Sequence, residues 1–367
     1  MTPAGGGVRH LYVHLPFCAH RCGYCDFVTL VGRGREHGAY VEALLRELAL
    51  EAGTRAPRLE TIFLGGGTPT YTEALALERL LAALPDADEV TVEANPETVT
   101  ASLARLLSRN RVNRVSLGAQ SFNTALLAVL ERRSGPEDVR RAVHRLRDAG
   151  FGNVSLDLLY GIPGQGAADV QADVEQALSL APEHISYYEL EAKPGTRFTH
   201  AHGHELARQA EAMEGYFELV VDALVGAGCR WYETANFCLP GREARHNLGY
   251  WLGRDYLGVG IGAVSTLGLE RRTNAPKLGA YVAALARGEA PPREVERLDE
   301  DTKLRERLML GLRLDQPLPL AGLEPALEPA ALARVERLGL AERRDDGLVL
   351  TERGRFLGGA VTAELLA

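Results

Sequence analysis

The first two-thirds of the chain alternates short apolar segments with longer amphipathic ones, six times in succession. Segments rich in β-branched and aliphatic residues predict strands at 11–14, 61–64, 90–94, 115–117, 154–159 and 185–190. The stretches between them carry apolar residues at three- and four-residue spacing, typical of helices, as at 40–50, 75–84 and 139–147. Right-handed crossovers would curl such a chain into an α/β fold with a partial, TIM-like (β/α)6 barrel. An open, doubly wound sheet is the alternative.

Beyond the sixth strand the pattern changes and predicts three parts, a barrel over 1–228, a connecting region over 229–290 and a small C-terminal domain over 291–367. We expect a helix at 205–225, an irregular stretch through Thr266 and a charged, Pro-containing linker at 288–301. Helices at 304–312 and 330–338, with a hairpin turn at Asp346–Gly347, predict an α+β, winged-helix-like tail. Winged helices usually bind DNA, but this tail carries acids as well as arginines, which favours packing against the barrel.

Composition excludes several classes of protein. The 367 residues are 46% hydrophobic and 25% charged, as in a globular protein, and the net charge of −8 argues against non-specific binding to nucleic acid. The amino terminus lacks the apolar run of a secretory signal, and no segment approaches the ~18 apolar residues of a membrane span. The sequence therefore predicts a cytoplasmic protein and leaves its oligomeric state open.

Three of the five cysteines lie in one short loop, LPFCAHRCGYCDF, directly after the first predicted strand. Cys18, Cys22 and Cys25 form a C-x₃-C-x₂-C array, and a loop this short can bring three thiolates to one soft metal centre. A structural zinc site would need a fourth ligand, and Cys229 and Cys238 do not form a matching pair. Three thiolates on a four-iron cluster leave one iron open to a further ligand. Three unrelated buried cysteines are the alternative.

Polar residues follow the predicted strands at the end where a barrel carries its functional groups. The second strand runs into the glycine-rich stretch Gly65–Pro69 (GGGTP), where the backbone can approach a ligand closely. Glu93, Gln120 and Asp157 lie at or near the ends of the next three strands. One such residue could be a solvated strand end, but three in succession on the face of the cysteine loop predict a polar site.

The cysteine array resembles the cluster loop of the radical-SAM superfamily, in which S-adenosylmethionine (SAM) chelates the open iron of a [4Fe–4S] cluster. Nearly the whole chain resembles the HemN/HemW family, whose best-known activity is oxygen-independent coproporphyrinogen III oxidation in porphyrin biosynthesis. The resemblance implies that Cys18, Cys22 and Cys25 bind the cluster. It also implies contacts with SAM from Tyr12, Tyr24, Gly66, Gly67, Thr68 and Glu93. Gln120, Arg132 and Asp157 match positions that line the rest of the oxidase pocket, including a second SAM, although Arg133 adjoins Arg132.

Two departures separate the chain from the oxidases. Phe27 stands where their fourth cysteine would lie, and only about a dozen residues precede the first predicted strand, whereas the oxidases have a long segment there. The chain instead carries His246–Trp251 (HNLGYW), an H-N-x-x-Y-W string that marks the HemW relatives, which are regarded as haem chaperones. A neutral imidazole is a good axial ligand for haem iron, so the resemblance assigns haem to His246.

Side chains near this string extend the haem hypothesis. In a helix His246 and Tyr250 would share one face, Arg242 and Arg245 would be available to the haem propionates, and Cys238 is a second candidate iron ligand. The alternating histidines His200, His202 and His204 could chelate a metal, but they fall outside the matched motifs and we interpret them as a solvated loop.

Two functions of different kinds therefore follow. The first is a carrier that binds haem and delivers it to recipient apoproteins, with the cluster and SAM controlling its state. Membrane-bound recipients would be compatible with peripheral association of the carrier with a membrane. The second is an enzyme, a SAM-dependent porphyrinogen decarboxylase, with a radical enzyme on another substrate as a third option. The H-N-x-x-Y-W string and the missing fourth cysteine favour the carrier. The sequence assigns no catalytic residue.

Overall fold

The computed structural model describes residues 7–193 and 196–366. Its main sheet contains all six predicted strands, each hydrogen-bonded in parallel to the next. Five of the strands are longer than their predicted apolar segments, and the sixth is shifted by one residue toward the amino terminus. The strands are β1 His10–Leu15, β2 Leu59–Gly66, β3 Ala87–Ala94, β4 Arg114–Gln120, β5 Val154–Tyr160 and β6 His184–Glu189.

One face of this sheet is apolar and packs beneath helices, as Leu11, Val13 and Leu15 of β1 do in the main hydrophobic core. The alternate residues of β1 are His10, Tyr12 and His14, and the same alternation continues along β2 to β6. The polar side chains therefore share the opposite face, which lines the inside of the partial barrel. The covering helices are α1 His37–Leu50, α2 Ala74–Ala83, α3 Ala101–Arg109, α4 Thr124–Val129, α5 Pro136–Asp148 and α6 Ala167–Ser179.

Several helices begin where a polar side chain caps their first turn. Glu73, Thr100 and Asn123 accept hydrogen bonds from backbone N–H groups at the starts of α2, α3 and α4. These caps fix the points at which the chain leaves the loops at the carboxyl ends of the strands.

The single helix predicted at 205–225 is wrong. The chain forms two helices, α7 Arg197–Gln209 and α8 Met213–Gly226, joined by the 3₁₀ turn Ala210–Ala212. The three alternating histidines lie in α7 and not in the predicted loop. Only Phe198 of α7 is buried, so the sequence there carries few apolar residues to indicate a helix.

The region predicted to be irregular is mostly ordered, and it extends the sheet to nine strands. β7 Arg230–Glu233 and β8 Asn236–Cys238 form an antiparallel edge next to β6. Helix α9, Arg245–Trp251, follows, and β9 Leu257–Val259 pairs in parallel with β1. These elements are too short to show a period in the sequence, which is why the prediction missed them.

The predicted linker also forms part of a sheet. β10 Val264–Leu267, β11 Glu270–Asn274 and β12 Arg293–Arg297 form an antiparallel three-stranded sheet, with α10 Leu278–Ala286 between the last two strands. Pro291 and Pro292 precede β12 instead of interrupting it. The charged side chains of β12 are exposed at the sheet edge, where charge is common.

The tail has its own hydrophobic cluster, which includes Leu308, Leu348 and Leu365. The predicted helices and hairpin are present, and a short third strand and two further helices complete the fold. The elements are α11 Glu300–Gly311, the two-residue strand Leu318–Pro319, α12 Pro329–Arg337, β13 Ala341–Arg344, β14 Gly347–Leu350, α13 Glu352–Phe356 and α14 Gly358–Leu365.

Polar and aromatic contacts join the tail to the edge of the barrel. Arg230 donates two hydrogen bonds of 2.7 Å to the carboxylate of Asp315, and Arg355 lies over the ring of Trp231 at 3.6 Å. The tail thus packs on β7, the arrangement that the sequence favoured over DNA binding. Among the described residues, no helix is both long enough and apolar enough to cross a membrane.

Removing the Arg230–Asp315 pair should loosen the tail. A double-mutant cycle with Arg230→Ala and Asp315→Ala should give a coupling free energy of about 1 kcal/mol in urea unfolding, because the pair is bidentate and only partly exposed. The exposed pair Arg109–Glu78 is the control and should couple by less than about half that amount. Equal coupling in both cycles would contradict this account of the interface.

Candidate functional site

The cysteine loop leaves the sheet at the end of β1 and is closed at its base. Phe17–Cys18 pairs in parallel with Leu30–Val31, and the N–H of Leu30 donates to the carbonyl of Pro16 at 2.7 Å. Cys18 is buried, whereas Cys22 and Cys25 are partly exposed. The loop therefore presents its three thiols from a fixed base at the carboxyl end of the barrel.

The thiols lie in surroundings that disfavour free thiolates. Burial is the largest of the effects that raise the pKa of Cys18 to about 11, and a 3.4 Å contact with the hydroxyl of Thr68 opposes it. Burial also raises the pKa of Cys25. Arg132 Nη1 approaches Cys22 Sγ at 3.6 Å. A bound metal centre would supply the positive charge that three thiolates need here.

No group of three or more His, Cys, Asp or Glu side chains in the described residues could hold a single metal ion. A four-iron cluster makes a different demand, because each of its cysteine ligands binds a different iron atom and the sulfurs consequently lie farther apart. The donor set of three thiols in a partly open loop fits such a cluster and does not fit a closed zinc site.

The glycine-rich stretch after β2 packs tightly against β1. Gly66 has a φ of +109°, and a Cβ atom there would lie 2.3 Å from Cε1 of His14. A Cβ at Gly67 would lie 2.6 Å from the backbone of Pro16. Only glycine fits at these two positions, and their backbone borders the cysteine loop. Thr68, which follows, is buried and accepts a hydrogen bond from Asn95 Nδ2 at 3.0 Å.

Glu93 is the penultimate residue of β3 and lies beside this stretch. Its carboxylate accepts a hydrogen bond from the N–H of Gly66 at 3.0 Å. Its side chain keeps some exposure at the mouth of the barrel. Burial raises the pKa of Glu93 to about 7, and the charge of Asp157 adds to the effect. An ammonium group bound here would stabilise the carboxylate.

Arg132 lies at the centre of the polar residues at this mouth. Its Nη2 atom donates to Asn95 Oδ1 at 2.9 Å and to the carbonyl of Gly118 at 2.7 Å, whereas Arg133 is exposed. Both arginines border a small pocket at the cysteine loop, but Arg132 is the one whose guanidinium bonds to Asn95 and Gly118 and contacts Cys22. Gln120 ends β4 with a φ of +66°, at a register shift between β4 and β5.

Asp157 lies deeper, on β5, where Ser116 donates to it at 2.9 Å. Burial raises the pKa of Asp157. Tyr12 and Tyr24 are the aromatic residues expected at the SAM site. Tyr12 bonds to His14 Nδ1 at 2.9 Å, and Tyr24 packs edge-on against Phe198 of α7 at 6.5 Å.

Sequence reasoning missed His14 and Asn95. His14 Nε2 bonds to the carbonyl of Val28, inside the cysteine loop, at 2.8 Å. It shares the period-two face of Tyr12, so alternation along β1 could have identified it. Asn95 follows Glu93 by two residues, and the same reasoning applies.

His246 lies in a separate part of the barrel. It is 1% exposed, and its Nδ1 and Nε2 atoms bond to Thr61 Oγ1 at 2.7 Å and to Tyr250 Oη at 2.9 Å. Burial lowers the pKa of His246 to about 3, so the ring is neutral. Thr61 precedes Gly66 by five residues on β2, which places the two levels roughly 17 Å apart at ~3.3 Å per residue.

The other residues considered for haem or metal binding are dispersed. Cys238 is fully buried in β8, and burial raises its pKa to about 12. Arg242 and Arg245 line a cleft of about 420 Å³ at the start of α9, together with Asp88 and Glu89. His200, His202 and His204 all lie in α7, where His202 Nδ1 is 3.3 Å from the carboxylate of Glu205.

Comparisons with known proteins agree with this geometry. Residues 12–177 match the Radical SAM superfamily model, and residues 298–357 match the HemN C-terminal domain. The chain is 38% identical to the heme chaperone HemW of Mycobacterium tuberculosis over 100% of its own length and 97% of that protein. The chain belongs to the HemW family. The heme chaperone HemW of Bacillus subtilis is 33% identical, with 98% of this chain and 99% of that protein aligned.

A solved structure shares the fold. Coproporphyrinogen III oxidase (HemN) from Escherichia coli matches 98% of this chain and 90% of its own with a TM-score of 0.79 and 21% identity. The expected radical-SAM α/β fold with a HemN-type tail is therefore confirmed. Membership of the HemW family and the radical SAM superfamily implies a [4Fe–4S] cluster and SAM, and the thiols and the glycine cradle fit both groups.

Replacing Gly66 should damage the cofactor site of this HemW-family protein. In Gly66→Ala the new methyl group meets His14 and the backbone is strained, so SAM should bind about tenfold more weakly or worse. Calorimetric titration of anaerobically reconstituted protein measures this. Gly53→Ala is the control, because a Cβ there meets nothing within 4 Å. Unchanged SAM affinity in Gly66→Ala would contradict the placement of SAM at this cradle.

Glu93 should make the cluster-free protein less stable as the pH rises. Its pKa is raised when folded, so its favourable contribution is full below about pH 4.5 and is lost as the pH approaches about 7. The free energy of unfolding of Glu93→Gln, measured in urea and taken relative to wild type, should therefore increase by roughly 2 kcal/mol from about pH 5 to about pH 8. Glu97→Gln, exposed at the same mouth, is the control. The same difference at both pH values would exclude titration of Glu93 as the cause.

Proposed function

We propose that this protein is a haem chaperone, which binds haem and hands it to recipient haem apoproteins. The observation that carries the proposal is near-complete alignment with heme chaperones named HemW, at 38% and 33% identity. The alignments cover 97% and 99% of those two relatives.

The H-N-x-x-Y-W string supports this proposal through its position. It forms helix α9, whose first N–H groups, those of Arg245 and His246, donate to the carboxylate of Glu89 at 3.1 Å. Phe63 of β2 stacks on the His246 ring at 5.2 Å. A histidine held this firmly, and neutral, has the protonation state that an axial haem ligand requires.

Iron ligation by His246 requires a local change. Nε2, the nitrogen that faces Tyr250, must lose the Tyr250 hydroxyl before it can bind iron. Tyr250 is partly exposed and also contacts Tyr256 edge-on at 4.6 Å, so its ring can move without opening the main core. Arg242 and Arg245, on the neighbouring cleft, would receive the haem propionates.

The cofactor end of the barrel has a separate role. Cys18, Cys22 and Cys25 would bind the [4Fe–4S] cluster. SAM would be held by residues that the glycine cradle and the mouth supply, namely Tyr12, Tyr24, Gly66, Gly67, Thr68, Glu93, Gln120, Arg132 and Asp157. When bound, the cluster can deliver an electron to SAM. The residues around it orient the sulfonium ligand and limit access of water, and we propose that they set the state in which haem is released.

The test is a haem titration followed by absorbance. Wild-type protein should show a Soret shift at near-stoichiometric haem, and His246→Ala should bind at least about tenfold more weakly because it loses the iron ligand. His184→Ala is the matched control. His184 is also 1% exposed and bonds through both ring nitrogens, to Ser155 and Tyr232 at 2.8 Å, so its loss disturbs the barrel to a similar extent.

Equal loss of haem binding in both variants would assign the effect to the fold and not to ligation. Weak binding by the wild type would overturn the carrier function. SAM-dependent turnover of coproporphyrinogen III that fails in Cys22→Ala would then identify the protein as an enzyme instead.

A further inference from the structure

A line of polar side chains leads from the surface of the barrel to His246. The contacts from His10 inward are hydrogen bonds, whereas Glu60 faces His10 Nε2 as a charge without a hydrogen bond. Glu60 Oε2 lies 3.8 Å from His10 Nε2, and His10 Nδ1 lies 2.8 Å from Thr61 Oγ1. Thr61 Oγ1 in turn lies 2.7 Å from His246 Nδ1. His10 and Thr61 are 4% and 0% exposed, so water does not compete within the line.

The Thr61 hydroxyl has a single proton and contacts two imidazole nitrogens. Since these two nitrogens are its only hydrogen-bond partners in the described part of the chain, the hydroxyl uses its proton on one Nδ1 atom and accepts from the other. If His10 carried its proton on Nδ1, its bare Nε2 lone pair would face the Glu60 carboxylate, which is unfavourable. Proton placement on His10 Nε2, toward Glu60, avoids this and makes Thr61 donate to His10 and accept from His246.

The charges at the outer end support this order. Partial burial would raise the pKa of Glu60, but a hydrogen bond from Arg9 and the charge of Arg254 outweigh it and lower the pKa, so the group is a carboxylate. Burial lowers the pKa of His10, which is consequently a neutral ring with one N–H. A carboxylate facing a neutral ring favours the proton of His10 on Nε2, and this fixes the donor and acceptor order of the hydrogen bonds through Thr61.

We propose that Glu60, His10 and Thr61 are positioning residues that hold His246 in the tautomer with its proton on Nδ1 and a lone pair on Nε2. This inference rests on the proposed function, because Nε2 is the atom that would bind haem iron. Tyr250 donates its hydroxyl proton to that lone pair and occupies the position that iron would take. Metal-bound histidines commonly donate their other N–H to an orienting acceptor, and Thr61 supplies that acceptor.

Helix α9 is shaped for this contact. A Cβ on Gly249 would lie 3.0 Å from Cε1 of His10, so the glycine in the string HNLGYW lets the helix approach the His10 ring. The His10 and His246 rings are 6.2 Å apart and nearly perpendicular, with Thr61 bridging them. The close approach of α9 to the His10 ring thus explains why residue 249 is a glycine.

The experiment uses Thr61→Val, which keeps the shape of the side chain and removes the hydroxyl. ¹⁵N NMR of histidine-labelled apoprotein, with the His246 signal assigned from His246→Gln, should show Nδ1–H in wild type. The variant should lose this single tautomer, and its haem affinity should fall by about 10- to 100-fold. Thr61→Ser should restore both properties because it restores the hydroxyl.

Thr91→Val is the matched control. Thr91 is also 0% exposed and lies on the same face of the neighbouring strand, and its hydroxyl has no hydrogen-bond partner in the described part of the chain. It should change neither readout. The proposed positioning role would be overturned if wild-type His246 carried its proton on Nε2. It would also be overturned if Thr61→Val left the His246 tautomer and the haem affinity unchanged. Absence of haem binding by wild type would instead overturn the proposed function, and the NMR result would still decide the proton order.

Discussion

Parallel pairing of β1 to β6 is the constraint on which the rest of this structure depends. In register, it sets Tyr12 beside Phe63 and His14 beside Gly65. The carboxyl ends of six strands meet at one mouth, so residues far apart in sequence, such as Glu93 and Asp157, influence each other. The strict period of two also separates an apolar face from a polar one. A one-residue slip of any strand would exchange these faces and destroy both the core and the site.

The central fold, and the convergence of the candidate site residues at one mouth, could be predicted from sequence because both depend on this repeating pattern. Runs of β-branched and aliphatic residues predicted the strands. The cysteine spacing and the GGGTP stretch are motifs of contiguous residues, so they could be identified without knowing the fold. The edge of the sheet could not be predicted in the same way. β7, β8 and β9 have three or four residues each, and β12 is a charged edge strand whose paired residues on β11 lie 19 to 27 positions earlier. Their existence depends on neighbours that the local sequence does not specify.

His246 shows a different limit of sequence reasoning. Its motif identifies the residue, and the i, i+4 spacing correctly places Tyr250 on the same helix face. The sequence cannot show that both imidazole nitrogens are already bonded, since Thr61 lies 185 residues away. A histidine that is satisfied in the apoprotein is poised for ligand exchange at Nε2 and not for direct capture of iron. That distinction changes which neighbouring residues matter.

The two ends of the barrel are connected through its interior. The carbonyl of Val28 in the cysteine loop bonds to His14, which bonds to Tyr12. Tyr12 stacks on Phe63 at 6.2 Å, and Phe63 stacks on His246 at 5.2 Å. These contacts form a continuous packed column from the cysteine loop to α9. The buried His246 and the partly exposed Tyr250 end this column, and in the proposed function this pair is the element that exchanges the Tyr250 hydroxyl for haem iron. A chaperone that must both hold and release haem needs such an element, and its position at the end of the column allows the cofactor end to bias it.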